Sequence, residues 1–349
     1  MKTEEELAKA LRTIAERAQD VDLLPGMAAK RRHRRQRRVR VLLASVCVAV
    51  LGWGALVVWP TRPRPTVGTT TPDKTIEQIW PQAVLTVPGR YRPLAAISAT
   101  QVLVLAEPGT IEVYDVTTRR SRVVATLLQA PQSVAVDVER VAWLAEGYVW
   151  VAPVRGSGQA RRVGPVKGEA VDRIALAGDH VAWSSPLGGV WRMSIDGGVP
   201  EMVAKSKGLQ LAAWPWAIDE PLDIRTNPTR VVNLETGRTA AITAARGVEG
   251  LRCGPTWCLG ARGDDSVVQR IDGSQVRVRR LLHGYPSAYP YQDRFFTGAA
   301  MVVYDAHADV LVPFHTANGE RWSVGQGVIF WPQNGGVRVV NLAAVPPAQ

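Results

Sequence analysis

His180 to Gly198 read HVAWSSPLGGVWRMSIDGG, and Thr256 to Ser274 read TWCLGARGDDSVVQRIDGS. Each stretch holds a short aromatic strand pattern, a glycine turn and a second strand pattern that ends in Ile-Asp-Gly. Two copies of one such unit, far apart in the chain, indicate an architecture of repeated β-units. This unit therefore decides the fold class, which is predicted to be all-β.

The same unit recurs along residues 79–345. Its first strand patterns centre on Leu103, Ala142, Ala182, Ala213, Trp257, Phe295 and Ile329. Their spacing averages about 38 residues, slightly below the roughly 40–45 residues of a four-stranded propeller blade. The sequence therefore predicts a seven-bladed β-propeller. Six blades remain an alternative because one gap is only 31 residues, and a two-sheet sandwich is the main rival fold.

The seventh unit, from residue 326, has room for only some of its strands. The stretch Ala83–Val87 precedes the first unit and has a strand pattern of its own. We expect it to supply a missing strand and close the ring, because a closed circle of blades leaves only short, protected strand edges.

The two quoted stretches resemble blades of TolB-like and WD-repeat-like propellers, although the Gly-His and Trp-Asp dipeptides of true WD repeats are absent. The whole chain resembles single-pass membrane proteins of high-GC Gram-positive bacteria that carry such a domain outside the membrane. Its first sixty residues also resemble the tail of membrane-bound anti-sigma regulators, without the zinc-binding His/Cys motif of many of them. These resemblances imply a binding or scaffold domain, or a signalling regulator.

Residues 41–59, VLLASVCVAVLGWGALVVW, contain no charge and follow the basic run KRRHRRQRRVR of residues 30–40. A run of this length can cross the bilayer as one helix. The basic run predicts that residues 1–40 face the cytoplasm, and the residues that set this orientation are Arg31, Arg32, Arg34, Arg35, Arg37, Arg38 and Arg40. A cleaved signal peptide fits less well, because forty residues precede the run and no A-x-A-like site follows it. A buried core helix is the third interpretation, and the charged and Pro-rich flanks argue against it.

Residues 3–19 predict an amphipathic helix that begins with a Thr3/Glu6 capping box. Its apolar stripe includes Leu7, Leu11 and Ile14, which are candidate contacts for a cytoplasmic protein; a weakly ordered tail that only sets topology is the alternative. Residues 60–78 are rich in Pro and Thr and predict a semi-rigid linker. The predicted order is thus a tail (1–40), a membrane helix (41–59), a linker (60–78) and an extracytoplasmic propeller (79–345), with membrane lipid as one partner.

The formal net charge is +11, but the densest basic block directly precedes the apolar run. We therefore interpret the block as a device for orientation and lipid contact and expect no nucleic-acid partner.

Cys253 and Cys258 bracket a Gly-Pro turn in the predicted outer domain, where a disulfide is favoured. Two buried thiols or half of a zinc site are the alternatives.

No catalytic constellation emerges, and no cofactor or metal is expected. The chain lacks the GxSxG motif of the serine hydrolases. Asp305, His307 and Asp309 would share one strand face and could bind a metal, but a solvated hairpin tip is the simpler interpretation. Asp-Gly and Asp-Asp pairs elsewhere are read as turns rather than as calcium sites.

The aromatic residues divide into two groups. Six tryptophans occupy equivalent positions of the repeat, and this regularity predicts that they pack in the core. They are Trp143, Trp183, Trp214 and Trp331 on the first strand pattern and Trp150 and Trp191 on the second. The loop GYPSAYPY carries Tyr285, Tyr289 and Tyr291, which are candidate partner contacts, although a purely structural loop is also open. The sequence thus predicts a non-enzymatic binding module for an envelope protein or ligand, with an anti-sigma-like regulator as the alternative.

Overall fold

The computed structural model describes residues 66–67, 74–107, 109–156, 158–168, 171–185, 188–279, 289–298, 301–316 and 321–347. Their strands form seven separate sheets, and five of these are made only of neighbouring segments of the chain. This arrangement confirms the all-β fold and its seven blades. The chain takes the strands of a blade in order from the channel outward, and we call them strands a to d.

The first four blades are complete four-stranded antiparallel sheets. Blade 1 consists of β3 (Tyr91–Ala96), β4 (Gln101–Ala106), β5 (Thr110–Asp115) and β6 (Arg120–Thr126). Blade 2 consists of β7 (Ser133–Val136), β8 (Arg140–Ala145), β9 (Tyr148–Pro153) and β10 (Arg161–Pro165). Blade 3 consists of β11 (Arg173–Ala177), β12 (His180–Ser184), β13 (Val190–Ser194) and β14 (Glu201–Met202). Blade 4 consists of β15 (Gln210–Ala213), β16 (Trp216–Ile218), β17 (Arg230–Asn233) and β18 (Thr239–Ala241).

The last three blades depart from this scheme. Blade 5 consists of β19 (Glu249–Cys253), β20 (Trp257–Arg262), β21 (Asp265–Arg270) and β22 (Arg277–Arg279), with β1 (Thr66–Val67) added parallel to β22. Blade 6 shows β23 (Phe295–Gly298), β24 (Val302–Asp305) and β25 (Val310–Pro313), and residues 280–288 before it lie outside the described residues. Blade 7 consists of β26 (Ser323–Gly325), β27 (Val328–Gln333), β28 (Gly336–Asn341) and β2 (Val84–Pro88).

Strand β2 closes the ring as the sequence predicted. It pairs antiparallel with β28, from Val84 opposite Val340 to Pro88 opposite Gly336, and becomes the outer strand of blade 7. The first and last strands that belong to the seven blades therefore share one sheet.

The sequence-based order of strands within a blade was wrong in one respect. The patterns taken as first strands, such as those around Leu103, Ala142 and Ala182, are b strands, and a shorter a strand precedes each of them. The pattern around Ala213 is an exception because it falls in the a strand of blade 4. This difference accounts for the irregular 31-residue gap in the predicted repeat.

Large side chains between neighbouring blades form the core. Trp143, Trp183 and Trp331 are at most 1% exposed, and the Trp143 and Trp150 rings stack with centroids 6.2 Å apart. These contacts agree with the packing role expected from their repeat positions. Trp214 differs, because it is only partly buried and its indole N–H donates to the exposed Glu235 at 2.9 Å.

The chain packs onto the propeller before residue 79. Helix α1 (Ile76–Ile79) buries Ile76 completely against blades 6 and 7, in one cluster with Phe314 and Trp331. The predicted N-terminal helix and the apolar run 41–59 lie outside the described residues. Among the residues that are described, no helix is both long enough and apolar enough to span a bilayer.

Candidate functional site

A cavity of about 530 Å³ lies where the inner strands converge. Strands β7, β11, β15 and β26 line it, together with residues 289–292. Many of the lining side chains are small, including Ala135, Ala175 and Ala212, and this leaves the centre open. Clefts of this volume, mainly apolar with a few polar groups, are typical of ligand-binding sites.

Three charged residues from three different blades form a network beside this cavity. Glu220 binds Arg173 through Oε2 at 2.7 Å and Arg252 through Oε1 at 3.1 Å. Arg173 also donates to the Leu211 carbonyl oxygen at 2.6 Å. The side chains of Glu220 and Arg252 are only 11% and 8% exposed. The single carboxylate therefore bridges two guanidinium groups and ties blades 3, 4 and 5 together.

Tyr289 completes this network. The Arg173 guanidinium carbon lies 4.1 Å from the centroid of the Tyr289 ring, which is cation–π geometry. Burial raises the pKa of the Tyr289 hydroxyl, while the positive charge of Arg173 acts in the opposite direction. The phenol is therefore neutral at physiological pH, and its ring forms part of the cavity wall.

Tyr291 lines the cavity from the same loop, and its ring packs closely over Gly327. A β-carbon at Gly327 would lie within 2.8 Å of three ring atoms, and its φ of +73° also favours glycine. Burial raises the pKa of Tyr291. Of the three tyrosines named from the sequence, Tyr289 and Tyr291 thus lie at the cavity, whereas Tyr285 lies outside the described residues.

Two carboxylates, Asp137 and Asp172, belong to the cavity lining. Asp137 accepts backbone N–H groups of Glu139 and Arg140, both at 2.7 Å, and so caps its own turn. Burial raises the pKa of Asp172, against the opposing charge of Arg173 at 3.6 Å. Within the described residues, no three His, Cys, Asp or Glu side chains converge in a way that could hold a metal ion. The described lining thus offers shape and hydrogen bonds for binding.

The segment 305–309 differs from the expected solvated hairpin tip. It is the turn between β24 and β25, but Asp305 is fully buried and forms an ion pair with Arg294 at 2.6 Å. Asp309 lies at the surface with Arg279. The three residues considered as metal ligands therefore do not share a strand face, because a turn that Asp305 caps intervenes.

Cys253 and Cys258 form a disulfide in the structure, with an S–S distance of 2.02 Å. They face each other across β19 and β20 in blade 5. Both are fully buried in the cluster between blades 4 and 5. The bond thus belongs to the framework of the ring.

Sequence reasoning missed the network of Arg173, Glu220 and Arg252. Its members are separated by more than thirty residues and sit in different repeats, so no local spacing links them. Only the Val-Asp-Arg sequence at the start of β11 gives a signal, since it places an acid and a base where a strand of the channel begins.

Comparisons with known proteins give no family for the chain. No protein-family model matches it, and no curated protein matches it. Many solved structures are similar in shape. The β-propeller domain of Cps50 (Swd1) from Myceliophteria thermophila has 10% identity and a TM-score of 0.48, over 74% of this chain and 99% of that one.

Two further solved structures show the same range of similarity. TolB from Agrobacterium tumefaciens has 16% identity and a TM-score of 0.39, over 67% of this chain and 85% of that one. An oligogalacturonate lyase from Vibrio parahaemolyticus has 8% identity and a TM-score of 0.46, over 75% of this chain and 92% of that one. The seven sheets described above, rather than these similarities, establish the fold.

Proposed function

We propose that this protein is a membrane-anchored, extracytoplasmic β-propeller that binds a protein or another ligand through its central cavity and does not act as an enzyme. The observation that carries this proposal is the cavity itself. Its wall combines small apolar side chains with Tyr289, Tyr291 and Arg173, which Glu220 binds from beside the cavity. A propeller offers such a surface on a rigid frame, which favours binding.

Anchoring and compartment rest on other features. The uncharged run 41–59 has the length of a membrane helix, and the arginines before it favour a cytoplasmic N-terminus. The disulfide between Cys253 and Cys258 fits an oxidising compartment for the propeller. The two observations agree on the side of the membrane at which the propeller folds.

The role of the cavity can be tested at Val324. This residue lines the cavity and is 46% exposed, so Val324→Trp narrows the opening without disturbing the core. Leu222→Trp is the matched control, because Leu222 is 79% exposed and does not line the cavity. The full-length protein and both variants are captured from native membranes after crosslinking.

We expect an extracytoplasmic partner that is captured by the wild type and by Leu222→Trp and is lost from Val324→Trp. The reverse pattern, or equal capture by all three proteins at equal expression, would exclude the cavity as the binding site. A turnover assay on any captured small molecule addresses the non-enzymatic part of the proposal.

The predicted tail helix supports a second candidate, a signalling regulator that holds a cytoplasmic protein. Its observation is the stripe of Leu7, Leu11 and Ile14 at helical spacing. Substituting all three by Glu should release such a partner while membrane insertion persists. Lys9→Glu, which lies outside the stripe, should retain it; a partner that survives the triple substitution rules this function out.

A further inference from the structure

All turns between strands c and d lie at one end of the ring, because every blade runs in the same sense from the channel outward. We call this end the c–d face. Among the described residues it includes 116–119 in blade 1, 154–156 in blade 2 and 271–276 in blade 5. The opposite end carries the turns between strands b and c, including the loop 219–229 of blade 4.

Strand β1 begins near the c–d face. Strand β1 runs parallel to β22, with Thr66 opposite Arg277 and Val67 opposite Val278. Since β22 begins directly after a c–d turn, Thr66 lies at the end of β1 that is nearer the c–d face. Six residues, 60–65, lie between Thr66 and Trp59, the end of the apolar run. The seven Cα–Cα steps from Trp59 to Thr66 span at most about 25 Å when the chain is fully extended.

A group of arginines lies near the same face in blades 1 and 2. We call Arg119, Arg120, Arg122, Arg155 and Arg162 the basic patch. All five are exposed, and none has an acidic partner within 4 Å among the described residues. Arg122 Nη1 donates to the Gly156 carbonyl oxygen at 3.4 Å, so the blade 1 arginines reach the turn that holds Arg155.

Other arginines at this face are paired, which sets the basic patch apart. Arg161, next to Arg162, binds Asp196 of blade 3 at 3.0 Å, and Arg140 binds Glu139 at 3.5 Å. The acid nearest in sequence to the patch is Asp115, whose Oδ1 accepts the backbone N–H groups of Thr117 and Thr118. Hydrogen bonds from Thr118, and smaller contributions from Gln101 and Thr117, lower the pKa of Asp115, and its one negative charge stands against the five positive charges of the patch.

We propose that the basic patch binds the anionic phospholipid headgroups of the membrane that anchors the chain. The six residues 60–65 limit how far the start of β1 can lie from an anchored apolar run, and exposed charges act over about 8 Å at physiological salt. Guanidinium groups are suited to phosphate because they offer several N–H donors in a fixed plane. This inference rests on the membrane anchoring proposed above.

The test uses the full-length chain in lipid nanodiscs, one set of phosphatidylcholine alone and one that also contains phosphatidylglycerol. Hydrogen exchange is followed by mass spectrometry on residues 117–123, which carry three of the five arginines. We expect exchange roughly threefold slower or more in the anionic discs, because lipid contact suppresses local opening. The loop 219–229 at the opposite end should exchange equally in both.

A triple variant should abolish the lipid-dependent protection of residues 117–123 from hydrogen exchange. It combines Arg119→Gln, Arg120→Gln and Arg155→Gln. Arg238→Gln, in the c–d turn of blade 4, is the matched control and should leave this protection unchanged.

If the chain inserts normally and exchanges equally in both lipids, the lipid-binding inference is overturned while the anchoring proposal stands. Arginine-dependent protection that does not require anionic lipid would also overturn it, and would point to an acidic protein. A chain that does not enter the discs would refute the anchoring proposal as well.

Discussion

Arg294 holds Asp305 in a bidentate ion pair inside blade 6. Its Nε lies 3.0 Å from both carboxylate oxygens, and its Nη2 lies 2.6 Å from Oδ2. The same Nη2 donates to the carbonyl oxygen of Pro346 at 2.8 Å. Asp305 also accepts the backbone N–H groups of His307 and Ala308. One buried pair therefore fixes a turn and attaches the segment after blade 7 to blade 6.

Asp305→Ala should destabilise the propeller by about 3–5 kcal/mol, because Arg294 would remain buried without its partner. Urea unfolding followed by tryptophan fluorescence measures this loss. Asp272→Ala is the matched control: Asp272 also caps a c–d turn, at Ser274, but it is exposed. The control should lose much less, and equal losses would mean that turn capping alone accounts for the effect.

Glu220→Gln should lower stability by about 3 kcal/mol, since it removes the carboxylate that the nearly buried Arg252 binds and leaves Arg173 only the longer contact with Asp172 at 3.6 Å. The same change should weaken ligand binding in the cavity, because Arg173 also holds the Tyr289 ring. The melting temperature and partner capture give the two measurements. Glu235→Gln, at an exposed site in the same blade, should change neither.

Ile76→Ala should cost about 2–5 kcal/mol even though Ile76 lies in a segment whose composition predicts a linker. The side chain is fully buried against Phe314 and Trp331, so its loss leaves a cavity. Denaturant unfolding compares it with Ile224→Ala, whose side chain is 55% exposed and should have almost no effect. Equal stability of both variants would show that α1 does not belong to the folded domain.

Tyr304 should make the propeller less stable at alkaline pH. Burial and the hydrogen bond to Asp309 raise the pKa of Tyr304 to about 12, above the ordinary value of 10.0. Between pH 10 and pH 12 the unfolded chain loses this proton first, so stability falls with rising pH by an amount on the order of 2 kcal/mol. Tyr304→Phe should show a shallower decline over this range in pH-dependent unfolding. Parallel curves for the two proteins would contradict the shift.

The repeat could be predicted from the sequence because the b and c strands carry strong signals. Patterns such as RVAWLA in β8 and HVAWS in β12 combine β-branched and aromatic residues, and both strands are buried on each side. The a strands give a weaker sequence signal, because they contain fewer β-branched and aromatic residues. QLAA in β15 and SVG in β26 consist largely of small residues, and both strands border the central cavity. Their position in the ring, rather than their propensity, makes them strands.

The candidate site could be predicted only in part. The tyrosine-rich loop was identified as a candidate contact from its composition, and Tyr289 and Tyr291 do line the cavity. Glu220 had no such signal, because its partners Arg173 and Arg252 come from the blades on either side. Pairs of this kind depend on the packing of neighbouring blades, which brings together residues that no local pattern relates.

The pairing of β2 with β28 has a consequence for the synthesis of the protein. Translation produces β2 before any blade exists, and its partner becomes available only when almost the whole domain has left the ribosome. Until then its backbone edge and its apolar side chains are exposed, and such edges promote association with other chains. A nascent chain that stops before residue 336 would leave β2 unpaired. The exposed edge of β2 would then mark the chain as incomplete for the quality-control proteins of the cell.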